Sequence, residues 1–397
     1  MQFKALNDFP RSAKRPFTRL RDIFVRCALA SLLVAMPTAL RDDAAPAASS
    51  AKMAKARTEL SDVPWDPASL ALQPKLVYGT DDRLDVYQET DPLRLELAAA
   101  TCAVMRASRL TDNGNGTFTF STSAYLEFGL PACETEPYGA QPVAAFCTGW
   151  LAGKDLIATA GHCFDESDIG AVVFVFGFDM TDATTPVTTV NASQVYTGTQ
   201  VVARELTSAA QDYAIVRVDR TVTAPGAHPL GVRRAGTITV GTPVGVIGHP
   251  AGLPTKIAFG STTTVADSSD PTFFLSNLDT YGGNSGSPVF NQATGVVEGI
   301  LVRGNADYVP QGSCFVSNQL PDSSAGEEST KASAFQAFIP VPAADIDGDG
   351  AINAVDIQLV INAALAIDIG GMNADVNGDG HVDAVDIQAV INSTFVD

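Results

Sequence analysis

Between residue 146 and about residue 316, apolar and polar positions alternate, or run apolar, in short bursts separated by turn residues. The clearest bursts are 171–177, 214–218, 238–246 and 296–302. A period of two, or a short apolar run bounded by Gly, Pro, Asn and Asp, marks strands. Many such strands in one stretch mark a barrel or a sandwich. No segment of this region carries the spacing of an amphipathic helix. Upstream, Gly114-Asn115-Gly116 between strand-like runs predicts a hairpin turn. The pattern changes near the C-terminus, where 357–365 and 387–391 hold apolar residues at helical spacing directly after runs of Asp, Asn and Gly.

The ends of the chain add to this picture. Lys4, Arg11, Lys14, Arg15, Arg19, Arg21 and Arg26 precede an apolar run over 27–40. That run is short for a membrane span and suits an export signal over 1–47, with Ala45-Pro46-Ala47 or Pro37-Thr38-Ala39 as the cleavage site. Residues 48–76, rich in Ala, Ser and Pro, read as a pro-segment or linker. The net charge of −19 is concentrated at the other end, since residues 343–397 hold ten Asp and no Lys, Arg or Glu. No basic stripe follows the N-terminus, which argues against nucleic acid as a partner.

The chemistry centres on Asp279-Thr280-Tyr281-Gly282-Gly283-Asn284-Ser285-Gly286-Ser287-Pro288. A serine between glycines suits a nucleophile on a tight turn, and the N–H groups of Gly283 and Ser285 can converge as an oxyanion hole. A serine hydroxyl needs a base, and the base needs a carboxylate to orient it. His162, in Thr159-Ala160-Gly161-His162-Cys163, and Asp212, opening Asp212-Tyr213-Ala214-Ile215-Val216, supply that set in the order His, Asp, Ser. His228 and His249 each precede proline and read as loop and turn residues.

At these motifs, over about residues 77–318, the chain resembles the chymotrypsin-like serine peptidases. Asn284 and Ser287 make it most similar to the bacterial glutamyl endopeptidases. The resemblance implies two six-stranded antiparallel barrels with the site between them, in a peptidase domain over 77–319. It implies His162 as base, Asp212 as its orienter and Ser285 as nucleophile, with no cofactor for the chemistry. It implies a mature N-terminus near Val77 that helps build the specificity pocket, and a disulfide between Cys147 and Cys163. Cys102, Cys133 and Cys314 then leave one cysteine over. It also places Asp279 at the base of the primary pocket and Leu301 where glutamyl endopeptidases carry a histidine. Cleavage after Glu is therefore expected to be poor. Cleavage after Arg or Lys follows if Asp279 is open; a pocket for small or apolar side chains follows if Arg303 neutralises it. Residues 320–342 read as a linker or final surface segment.

The tail, 343–397, holds a repeat offset by 30 residues, from Asp345 to Asp375. Asp345, Asp347, Asp349, Ala351, Asn353 and Asp356 stand at loop positions 1, 3, 5, 7, 9 and 12, as do Asp375, Asn377, Asp379, His381, Asp383 and Asp386. Oxygen side chains at this spacing with Gly at position 6 are what a Ca²⁺ loop needs, and position 7 contributes only a backbone carbonyl. Asp at position 12 and the lack of a helix before each loop make the tail similar to dockerin domains. That resemblance implies a small all-α domain with two structural Ca²⁺ sites and a cohesin-type module as partner. The whole reads as a secreted endopeptidase acting on protein or peptide substrates, without a stable membrane span. The alternative is a non-catalytic binding or assembly protein on a peptidase scaffold.

Overall fold

The computed structural model describes residues 76–207, 211–304, 306–377 and 379–394. The expected export signal and nearly all of the expected pro-segment lie outside these residues. Six strands close into an antiparallel barrel in the order Val172–Phe176, Val195–Leu206, Asp212–Val218, Leu156–Thr159, Cys147–Gly153 and Thr101–Arg106. Cys147–Gly153 and Val172–Phe176 are buried at every position, which explains why they read as apolar runs rather than as alternation. Trp150, Ile157, Phe174 and Ile215 fill the interior.

The second half is an eight-stranded sheet. Six of its strands run Val265–Asp267, Phe273–Ser276, Glu327–Lys331, Val297–Arg303, Pro288–Asn291 and Val244–Gly248. The bridge between Pro243 and Thr264 joins the first of these to the last. Val265 N–H donates to Thr242 and Val244 N–H to Thr263 across the same seam. Two barrels were expected; the second is thus drawn shut at one bridge, and Lys256–Ala258 and Arg83–Asp85 extend the sheet beyond it. Val244, Val246, Phe274, Val289 and Leu301 form its core.

Two segments depart from the expectation. Residues 320–342, read as a linker or surface segment, contain Glu327–Lys331, which lies between two strands of the second sheet. Its Glu-Glu-Ser-Thr-Lys sequence hides this, because its buried polar groups are satisfied from within: Lys331 Nζ donates to the carbonyls of Ser268 and Asp270. Phe335 and Ile339 then pack into the main core, with Phe335 edge-on to Trp150. A helix, Pro92–Ala99, also precedes the first barrel strand, capped where Asp91 Oδ1 accepts the Leu93 N–H. The hairpin at Gly114-Asn115-Gly116 forms as expected, pairing Leu110–Asp112 with Thr117–Phe120.

Cys147 bonds to Cys163, and Cys133 to Cys314; Cys102 is the cysteine left over, buried in the barrel. The tail folds as two loop–helix copies, with helices Ala354–Ala364 and Ala384–Thr394 around Ala344, Ile346, Val360, Ala374 and Val390. Among the described residues no helix is long and apolar enough to cross a membrane.

Candidate active site and metal centre

His162 follows the Leu156–Thr159 strand, and Asp212 opens the strand beside it. Adjacent strands of one barrel therefore deliver the two side chains. His162 Nδ1 lies 2.8 Å from Asp212 Oδ2, and the His162 N–H donates to Asp212 Oδ1 at 3.1 Å. Asp212 is buried, which by itself would raise its pKa, but the bonds from His162 outweigh burial and hold the carboxyl below its ordinary value. Arg303 Nη2 stands 3.7 Å from the same carboxylate, and the Asp212 N–H meets Thr330 Oγ1 at 3.2 Å.

Ser285 lies in the second half, just before its Pro288–Asn291 strand. The Thr148 N–H donates to the Ser285 carbonyl at 2.9 Å, and Cys163 Sγ lies 3.6 Å from that carbonyl oxygen. A ring nitrogen of His162 and both sulfurs of the Cys147–Cys163 disulfide lie within 4.8 Å of one another. The disulfide thus lies beside both His162 and the Ser285 backbone; its two sulfurs are bonded to each other, so this cluster is no metal site. Gly283 has φ of +97°, and a Cβ there would come within 2.5 Å of the His249 carbonyl oxygen. Only glycine turns the chain there without strain. Among the described residues neither the Gly283 nor the Ser285 N–H has a protein acceptor. His249 is buried, stacked on Phe178, with Nδ1 2.9 Å from the Leu253 carbonyl; it braces the turn that faces Gly283.

A cavity of about 220 Å³ opens beside Ser285, and Leu301 and Arg303 both line it. Asp279 does not. Its Oδ1 accepts the Tyr78 N–H and its Oδ2 the Asp82 N–H, both at 2.8 Å. The residue expected at the base of the pocket instead ties down the segment at the expected mature N-terminus. Burial pushes its carboxyl up to about 7 despite these two bonds. Nor, among the described residues, does Arg303 form the alternative pair with Asp279: its Nη1 holds Glu328 at 2.9 Å. Sequence reasoning missed Glu327 and Asp307, which line the cavity, because no motif marks either.

In the tail, Asp345, Asp347 and Asp349 each bring a carboxylate oxygen into one group within 4.8 Å. Asp345 also accepts the N–H groups of Asp349 and Gly350, and Asp356 those of Ile346 and Asn353. The second copy repeats this wiring: Asp375 accepts from Asp379 and Gly380, and Asp386 from Val376 and Asp383. Gly350 and Gly380, at position 6, have φ of +98° and +87°. Burial first, then neighbouring carboxylates, raises the pKa values of Asp345 and Asp347. A hard cation among all-oxygen donors relieves that repulsion, so the residues fit Ca²⁺.

Comparison with known proteins agrees with this anatomy. The trypsin-like peptidase domain family matches residues 147–300, and the dockerin type I domain family matches residues 343–393. The chain thus joins a trypsin-like peptidase domain to a dockerin type I domain. Dockerin type I domains generally bind calcium, and here Asp345, Asp347 and Asp349 gather into one acidic group. Among solved structures it is similar to a Glu endopeptidase in complex with MPD, at 16% identity and TM-score 0.39, covering 66% of this chain and 96% of that one. It is also similar to the VesB protease of Vibrio cholerae (17%, TM-score 0.38, 65% of each chain) and to human heparin binding protein (14%, TM-score 0.40, 66% and 94%). None of the curated proteins matches the chain.

Proposed function

We propose that this chain is a secreted serine endopeptidase held at a scaffold or cell surface by its calcium-loaded tail. The observation that carries the reading is the His162–Asp212 pair, with Cys163, next to His162 in the chain, placing its sulfur 3.6 Å from the Ser285 carbonyl oxygen. In this reading the Ser285 hydroxyl attacks the scissile carbonyl while His162 Nε2 takes its proton. Asp212 holds the Nδ1–H tautomer and stabilises the imidazolium that forms. The Gly283 and Ser285 N–H groups receive the developing oxyanion. His162 then returns its proton to the leaving amine. Water repeats the sequence on the acyl-enzyme and frees Ser285.

The reading includes export by residues 1–47 and removal of residues 48–76. The tail would bind two Ca²⁺ ions, one in each loop. Loop positions 10 and 11 are Ala354-Val355 and Ala384-Val385, with both valines exposed, at 51% and 58%. The paired surfaces offer a cohesin-type module two equivalent ways to dock. A fluorophosphonate probe tests the catalytic core of the proposal. Labelling of the full chain that disappears in Ser285→Ala supports it; a chain that is folded and unlabelled defeats it and favours the non-catalytic alternative.

A further inference from the structure

We infer that the segment Gly231-Val232-Arg233-Arg234 of the peptidase body is a seat for the first loop of the tail, so that Ca²⁺ binding in that loop and docking of the tail strengthen each other. The inference rests on the calcium reading of the tail above. The two tail copies share the same wiring but not the same surroundings. Asp345 and Ile346 are 4% and 7% exposed, and Gly350 is buried; their counterparts Asp375 and Val376 are half-buried, and Gly380 is exposed. The peptidase body accounts for the difference. A Cβ on Gly231 would overlap the Gly350 carbonyl oxygen, and a Cβ on Gly350 would overlap that of Val232, whereas one on Gly380 would meet open space. Two backbones therefore touch with no side chain between them, which only glycine permits. Beside the loop the seam opens into a cavity of about 380 Å³, lined by Leu97 and Leu230 of the body and Ile352 and Thr394 of the tail, so the close contact centres on the loop.

The tether leaves little freedom. Ile339 is packed in the main core and Ala344 in the core of the tail, with only residues 340–343 between them. Arg234 clasps that stretch: its guanidinium donates to the Gln336 carbonyl and, at 2.9 Å, to the Pro340 carbonyl. Arg233 and Arg234 also lie within reach of the charges of Asp349 and Asp345. The four carboxylates of the loop, Asp345, Asp347, Asp349 and Asp356, outweigh one Ca²⁺, so a loaded loop still attracts both arginines. Loading weakens that attraction, but the attraction is already screened at a part-exposed surface. Ordering works the other way and is the larger effect, because an unfolded loop cannot present Gly350 to the seat at all, and Ca²⁺ orders it. By reciprocity the seat then favours the bound ion. Val355 and Val385 stay exposed, so seating leaves both helix starts open to a partner.

The test is calcium titration of the full chain by calorimetry, with Gly231→Ala as the variant. The three atoms nearest to the added Cβ all belong to Gly350 and Ala351, so the substitution strikes the seam and spares the body. Wild type is expected to bind two ions. Gly231→Ala should weaken one site about tenfold and leave the other within about twofold. Asp345→Ala should abolish the site that Gly231→Ala weakens. Hydrogen exchange over residues 229–235 should slow on adding Ca²⁺ in wild type and not in Gly231→Ala. If Gly231→Ala does not fold, as circular dichroism would show, Arg234→Gln must weaken the same site about fivefold. Unchanged affinities in a folded variant overturn the seat and leave the calcium reading intact. So does a Gly231→Ala effect on the site that survives Asp345→Ala. A folded wild type that binds no Ca²⁺ overturns the calcium reading and this inference with it.

Discussion

The His162–Asp212 pair and the Asp345–Asp356 loop both depend on carboxylates that accept backbone N–H groups, yet the two are built in opposite ways. Asp212 sits at the edge of a barrel whose shape is set by Trp150, Ile157, Phe174 and Ile215. Its side chain is placed by the fold. In the tail, Asp345 and Asp356 hold the loop backbone directly, over a core of five small and medium side chains. There the carboxylates are the framework. The first arrangement separates chemistry from stability; the second joins them, because gathered carboxylates repel until a cation neutralises them.

The largest effect that could break this contrast comes from the barrel half. Ser285→Ala and His162→Ala should each lower kcat by about 10⁶-fold, because nucleophile and base act as a unit. Asp212→Asn should cost about 10⁴-fold by favouring the wrong tautomer. Thermal midpoints of the serine and histidine variants should stay near wild type. A large drop in midpoint would mean that these residues are framework after all. Next in size is chelation of calcium. Calorimetry of the full chain should show a low transition that disappears in chelator and in the double variant Asp345→Ala, Asp375→Ala. Turnover of a small peptide should stay within about twofold, since the loops lie apart from Ser285. Loss of turnover on chelation would couple the two regions.

The same contrast explains what could be read from the sequence. Barrel strands such as 171–177 and 214–218 announce themselves because they exchange water for apolar contact, and that leaves a hydrophobic period. The calcium loops are legible for another reason: each ligand comes from a fixed offset in one short segment. Glu327–Lys331 was not legible. Its polar side chains are satisfied by Thr280, Tyr78, Ser268 and Asp270, which lie far away in sequence. Asp279 was found but given the wrong partners, because motif position does not reveal that the N-terminal segment bonds to it. The Cys133–Cys314 pairing spans 181 residues and has no local signature.

A third, smaller effect tests how firmly the barrel half is held near the site. The Cys147–Cys163 bond closes a loop with a sequence separation of 16. Replacing both cysteines by alanine should cost about 3 kcal/mol, chiefly by freeing the unfolded chain. Activity should fall as well, since the disulfide lies beside both His162 and the Ser285 backbone. Denaturant melts and kcat/KM on the same preparation would show both. Lost stability with full activity would mean that the pair does not brace the base.

A last test asks whether a framework carboxylate also exists in the peptidase half. Asp279 is the candidate, since it bonds the Tyr78 and Asp82 N–H groups rather than a ligand. Burial raises its pKa from 3.8 to about 7. Between those values the folded chain holds a proton that the unfolded chain has released. Stability therefore falls as pH rises through this window, by at most ~1.4 kcal/mol per pH unit from this group. The amide introduced by Asp279→Asn cannot ionise, but it offers one acceptor oxygen where the carboxyl offered two. The variant should be less stable than wild type near pH 4.5, and the gap should narrow toward pH 7.5 as the wild-type carboxyl ionises in its buried place. Urea midpoints at pH 4.5, 6.0 and 7.5 measure the gap directly. A gap that stays constant would mean that Asp279 is ionised throughout and that the two N–H bonds outweigh its burial.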